Sequence, residues 1–127
     1  MDKNIVSVDL EGVLAVHGEW KGVEHYGEVI PGAREFLTEL RKKYYIVIFT
    51  CRCNPELNNK YTVPELKKLV EDWLKTNNMP YDDVYTEIGK PIAVAYVDDK
   101  GVNCMPQKYG QIEFLQTLVY LGCAESV

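Results

Sequence analysis

Cationic residues are in short supply in this chain, and it has no long apolar run. Of its 127 residues, 14 are Lys or Arg against 19 Asp or Glu, a formal net charge of -5. No Lys/Arg block stands out, so the sequence carries no nucleic-acid footprint. An anionic substrate then needs a local positive group to offset the overall field. No apolar run approaches the roughly 20 residues of a membrane span. The opening "MDKN" is too polar to begin a signal peptide. The expectation is a cytoplasmic protein with neither nucleic acid nor membrane as partner. Repeats, low-complexity tracts and linkers are also missing. Histidine is scarce, with two residues, and the four cysteines are Cys51, Cys53, Cys104 and Cys123. "CRC" is a C-x-C rather than the C-x-x-C of zinc and redox sites, so reduced thiols are expected in place of a structural metal.

The remaining composition suits one ordinary domain, 1–127, with 46% hydrophobic and 26% charged residues. Three short apolar runs read as buried strands: "IVSVDL" (Ile5–Leu10), "YIVIFT" (Tyr45–Thr50) and "AVAYVD" (Ala93–Asp98). They are rich in β-branched residues and continuous, as in strands covered on both faces of a parallel sheet. Helical patterns separate them. Pro31 is placed to start a helix carrying Ala33, Phe36, Leu37 and Leu40. Thr62 and Glu65 form a capping box ahead of Leu66, Leu69, Val70, Trp73 and Leu74, and "KTNNMP" ends that helix. A short strand is expected near "DDVYTE". A last helix over Gln111–Leu121 should turn Ile112, Leu115, Leu118 and Val119 inward. The alternation predicts an α/β fold: a doubly wound, Rossmann-like parallel sheet with helices on both faces and no cap domain. Residues 15–30, "AVHGEWKGVEHYGEVI", are expected to form a flap-like loop or hairpin.

Asp9, Thr50 and Asp98 each close an apolar strand run. In a parallel sheet those ends lie on one edge, where ligands bind. Glu11, Lys90 and Asp99 lie close to the same edge in sequence. Crowded carboxylates need a cation, and a few hard oxygen ligands without histidine or cysteine point to Mg²⁺. A metal and a lysine flanking one carboxylate would attract a phosphoryl group. Thr50 would donate a hydrogen bond to its oxygens. Asp9 would be the nucleophile, and Glu11 the acid that protonates the leaving oxygen and then activates water.

These motifs carry a resemblance. "VSVDLEGVL" resembles the first motif of the haloacid dehalogenase superfamily, a hydrophobic strand followed by D-x-D-G. "IVIFT" is similar to its second motif, "GKP" to its lysine motif and "AVAYVDD" to its acidic motif, all in order over Ile5–Asp99. "TCR" (Thr50–Arg52) and "VDDK" (Val97–Lys100) look like those of the small capless hydrolases of bacteria and phages. The resemblance implies a Mg²⁺-dependent phosphatase acting on a small phosphorylated metabolite at an open site. It implies Asp9 as nucleophile and metal ligand, and a backbone carbonyl of Glu11 as a further ligand. Asp98 would be the principal acidic ligand, with Asp99 binding directly or through water. Thr50 and Lys90 would hold the phosphoryl group, and Arg52 would face the substrate. One residue departs from the pattern: the usual second aspartate is Glu11, whose carboxyl reaches one methylene, ~1.5 Å, farther out.

Two other function classes fit parts of the pattern. Receiver domains also place Asp, Thr and Lys-Pro around Mg²⁺, but their acidic pair comes early and an Asp closes the strand before the Thr. Here the pair comes last, and the strand before Thr50 carries no Asp. A non-catalytic or weakly active protein that keeps the fold for binding is the other class. Single residues also have bland readings. His17 and His25 read as flap surface, and Trp20 and Tyr26 either pack the flap or stack on substrate. Cys51 and Cys53 read as packing residues without a thiolate-stabilising partner.

Overall fold

Val6, Val8, Ile46, Ile48 and Val97 retain no exposed surface, and the intervening Ser7 and Val47 are buried too. Strands buried on both faces in this way belong inside a layered α/β fold. The computed structural model describes residues 3–19, 21–53, 60–87, 91–98, 102–104 and 106–124, and only the backbone at 102, 103, 108 and 109. The strands are β1 (Ile5–Asp9), β2 (Tyr45–Phe49), β3 (Asp83–Val84), β4 (Ala95–Asp98) and β5 (Val102–Asn103). They form one sheet in the order β3-β2-β1-β4-β5, with every pairing parallel. The fold is therefore α/β, Rossmann-like and doubly wound. The chain moves outward from β1 to β3, then returns to the other side of β1 with β4. That reversal makes a switch point at the C-terminal ends of β1 and β4.

Helix α1 (Ala33–Arg41) buries Ala33, Phe36, Leu37 and Leu40. Full burial of each leucine stabilises by roughly 1.5–3 kcal/mol. The helix starts two residues after Pro31, with Gly32 as its N-cap at φ 92°. A Cβ on Gly32 would sit 3.1 Å from the Gln111 and Phe114 side chains. Glycine thus serves both the left-handed backbone and the close approach of the C-terminal helix. Helix α2 (Val63–Thr76) begins at the expected capping box. Thr62 N–H donates to Glu65 Oε1 at 2.9 Å, and Glu65 N–H donates to Thr62 Oγ1 at 3.3 Å. Asn78, at φ 55°, takes the left-handed position that ends it. Leu66, Val70 and Leu74 are buried, while Leu69 and Trp73 are half-buried at the edge of the stripe.

Five details differ from expectation. A short 3₁₀ turn (Cys51–Cys53) follows β2, and β5 and the four-residue α3 (Pro106–Tyr109) had no signal in the hydrophobic pattern. β4 starts at Ala95 because its pairing with β1 begins at Val6; Ile92 and Val94 lie outside it, exposed. Helix α4 (Ile112–Tyr120) is rotated from the expected phase. Phe114, Thr117 and Leu118 are buried together with Leu121, whereas Ile112 and Leu115 are exposed. Apolar residues occupy both phases of α4, and the contact of Phe114 with Phe36 at 4.9 Å selects one. No described helix is long and apolar enough to cross a membrane.

Candidate active site at the C-terminal sheet edge

Register brings the first two acids together. Val8 of β1 pairs with Val97 of β4, so Asp9 and Asp98 are the next residues on adjacent strands, about 4.8 Å apart in the sheet. Paired residues of a parallel sheet share a face, so the two side chains leave the same face. Asp9 is half-buried and Asp98 is 4% exposed. Asp9 also pairs with Phe49, which sets Thr50 one step past the same edge of β2.

Beyond Asp9 the backbone turns sharply. Leu14 and Ala15 N–H both donate to Leu10 O at 2.9 Å, and Gly12 N–H donates to Ala15 O at 2.8 Å. Gly12 takes φ 85° there. Leu10, Val13 and Leu14 anchor the turn in the core. Glu11 is the polar residue that this turn aims back at the edge. Its carboxylate receives the Thr50 hydroxyl, at 3.0 Å to Oε2 and 3.2 Å to Oε1, and it is ion-paired through Oε1 with Arg52 Nε. Thr50 Oγ1 in turn accepts the Arg52 N–H at 3.2 Å. The threonine hydroxyl expected to meet a phosphoryl group is thus turned toward Glu11.

Arg52 points inward. Its side chain is 8% exposed. Nη1 donates to the carbonyls of Gly22 at 3.3 Å and Val23 at 3.2 Å, and the guanidinium lies 4.1 Å from the centre of the Tyr26 ring. Tyr26 stacks on Trp73 of α2, with centroids 5.8 Å apart and planes at 19°. Tyr26 thus packs the flap against α2, and it lines the pocket as well. Burial pushes its phenol up to about 12, with the Arg52 charge opposing, so the ring stays neutral.

The 15–30 segment is a hairpin-like flap. Val16 N–H donates to Glu28 O at 2.8 Å and Ile30 N–H to Leu14 O at 2.9 Å, closing its base. Gly27 is required in that closure, because a Cβ there would lie 2.0 Å from Val16 O. The far side is held by Gln107 of α3, whose amide accepts from His17 N–H at 2.6 Å and donates to His17 O at 2.7 Å. Glu24 adds a surface tie, accepting the Tyr61 hydroxyl at 2.6 Å. Between flap and sheet edge lies a pocket of about 470 Å³, lined by Asp9, Glu11, Phe49 and Thr50 below and by His17, Lys21 and His25 above, among others. Flap residues thus line one side of the site. His17 and His25 are exposed as expected, and they also line this pocket. Cys51 is exposed and lines it as well, in contrast to its reading as a packing residue; Cys53 is buried.

Lys90, Asp99 and Trp20 lie outside the described residues. Among those described, no three His, Cys, Asp or Glu side chains form a ready metal cage. The carboxylates at this edge are Asp9 and Asp98, at neighbouring strand ends, with Glu11 in the turn that follows. Few hard oxygen donors, leaving other positions to water and substrate, fit Mg²⁺ and do not fit zinc. Sequence reasoning missed Gln107, whose role depends on a contact across 90 positions. It also missed Lys21, whose only signal was its place within the flap.

The fold and this edge define an α/β protein with an acidic strand-end pocket partly lined by a flap. No protein-family model and no curated protein matches the chain. It is similar to a crystal structure of a target protein from Vibrio cholerae at 25% identity, covering 95% of this chain and 99% of that one, with a TM-score of 0.51. That likeness extends over nearly the whole chain and supports the fold described above.

Proposed function

We propose that the chain is a Mg²⁺-dependent phosphohydrolase of the haloacid dehalogenase type, acting on a small phosphorylated metabolite. The observation that carries this reading is the placement of Asp9 beside Asp98 at the switch point, with Glu11 and Thr50 over the same edge. Asp9 Oδ attacks phosphorus, and the bond from phosphorus to the leaving oxygen breaks. Glu11 gives its proton to that oxygen. An aspartyl-phosphate remains on Asp9. Glu11, now the carboxylate form that Arg52 pairs with, takes a proton from water. The hydroxide attacks phosphorus, the bond to Asp9 breaks, and inorganic phosphate leaves. Asp9, Asp98 and the Glu11 backbone would hold Mg²⁺, which neutralises phosphoryl oxygens when bound. In this reading Lys90 and Asp99 complete the set. The pocket volume suits a metabolite-sized substrate.

The strand order weighs against a receiver-like phospho-acceptor. Receivers follow 2-1-3-4-5, whereas here the order is 3-2-1-4-5. The alternative of a weakly active or binding protein is favoured by one observation: the Glu11 carboxylate is already engaged by Thr50 and Arg52. Phosphate release from an aryl phosphate separates the two. We expect release that needs Mg²⁺, stops on chelation, and falls by roughly a thousandfold or more in Asp9→Asn. Wild-type turnover by Asp9→Asn would remove the nucleophile. Tight phosphoester binding without turnover by the native chain would leave the binding reading.

A further inference from the structure

We infer that Arg52 is a positioning residue that makes the orientation of Glu11 depend on the docked flap. This rests on the proposed acid/base role of Glu11 for its catalytic consequence, and on geometry alone for the coupling. The Arg52 guanidinium is buried, and a buried cation needs both a counter-charge and acceptors for its donors. Glu11 supplies the charge from the turn after β1. The flap supplies the carbonyls of Gly22 and Val23, and the face of Tyr26. One planar side chain therefore joins the turn to the flap, with its Nε on one and its Nη1 on the other. If the flap lifts, Arg52 loses two acceptors and its aromatic cover, and the Glu11 pair becomes a solvated one of little strength.

The same geometry gives a reason for glutamate at position 11. Its carboxylate meets Thr50 Oγ1 and Arg52 Nε at once. From the same backbone an aspartate carboxylate would be drawn back by ~1.5 Å and would lose at least one of them. The extra methylene is what allows the acid to be held from the flap side. Lysine at position 52 could keep the charge but has no rigid fork with which to hold both partners.

The test uses the full chain and two readouts. Hydrogen–deuterium exchange over residues 21–27 reports flap docking whether or not the protein turns over. Steady-state kinetics on an alkyl phosphate, whose leaving alkoxide needs a proton, reports the acid/base. Arg52→Lys and Glu11→Gln should both speed exchange in that segment relative to the native chain. Tyr26→Leu removes the aromatic cover of Arg52 and leaves Asp9, Glu11 and Thr50 unaltered; because Tyr26 also lines the pocket, KM is read beside kcat. This variant should speed exchange as well, and should lower kcat by about tenfold, part of what a positioned acid/base contributes, with KM changed less than kcat. Exchange in residues 21–27 equal to the native rate in both Arg52→Lys and Glu11→Gln would overturn the coupling. Faster exchange in Tyr26→Leu with kcat unchanged would overturn the positioning role. Absence of turnover in the native chain with these exchange differences intact would count against the phosphatase reading and leave the coupling standing.

Discussion

Glu11 is an ion-pair partner for a buried arginine, and in the proposed reaction it would also move a proton. The leaving group separates these tasks. An aryl oxide leaves well without a proton, whereas an alkoxide needs one. Glu11→Gln should therefore lose far more activity on an alkyl phosphate than on an aryl phosphate, about tenfold more or beyond. Glu11→Asp keeps the acid but retracts it from Arg52, so it should retain measurable activity on both substrates while loosening the flap. Equal losses on the two esters in Glu11→Gln would mean that no proton passes through it. Tyr26 gives a second prediction at this scale. Its hydroxyl is buried with no hydrogen-bond partner among the described residues. An unmet hydroxyl is a cost, so Tyr26→Phe should leave stability unchanged or raise it by up to about 1 kcal/mol, read from urea unfolding. A clear loss would show that the hydroxyl has a partner.

Among the elements, α2 was the most legible in sequence. Thr62, Pro64 and Glu65 mark its start within four residues, and both capping bonds form. Thr62→Ala removes the acceptor for Glu65 N–H and should cost about 1 kcal/mol in the same unfolding measurement. A change of a few tenths or less would show that helix packing compensates for the cap. Helix α4 was legible in extent but not in phase. The expected stripe of Ile112, Leu115, Leu118 and Val119 shares Leu118 with the buried face of Phe114, Leu118 and Leu121, and periodicity cannot rank two overlapping apolar faces. Phe36 on α1 decides between them, and that is a fact about a different helix. The flap was legible as a glycine-rich interruption. Its two anchors, Arg52 and Gln107, are residues whose partners lie 29 and 90 positions away.

At the scale of the whole molecule, the layers around the sheet govern the reactivity of the four thiols. Burial pushes Cys53 and Cys104 each up to about 11, with nearby acids adding to the rise. Fewer thiolates form there at any ordinary pH, and access is closed as well. Cys51 is exposed at the pocket mouth. Alkylation of the native protein at about pH 8 should therefore label Cys51 first and leave Cys53 and Cys104 unmodified until the chain is unfolded. Rapid labelling of Cys53 in the native state would mean that the layer over β2 opens readily.

The order of residues already contained the layer scheme. Continuous β-branched runs alternating with helical stripes admit few arrangements, because parallel strands need crossovers and crossovers have one hand. It also contained the edge at which Asp9, Thr50 and Asp98 meet, since strand ends in such a sheet converge whatever their distance along the chain. Folding alone decided which way the side chains at that edge turn. Thr50 bonds to Glu11, Arg52 faces inward against Tyr26, and flap residues line the pocket. Those choices rest on distances of a few ångströms between segments remote in sequence. Hydrophobic periodicity is blind to them, because it records how deeply a residue is buried and says nothing of the partner it finds there.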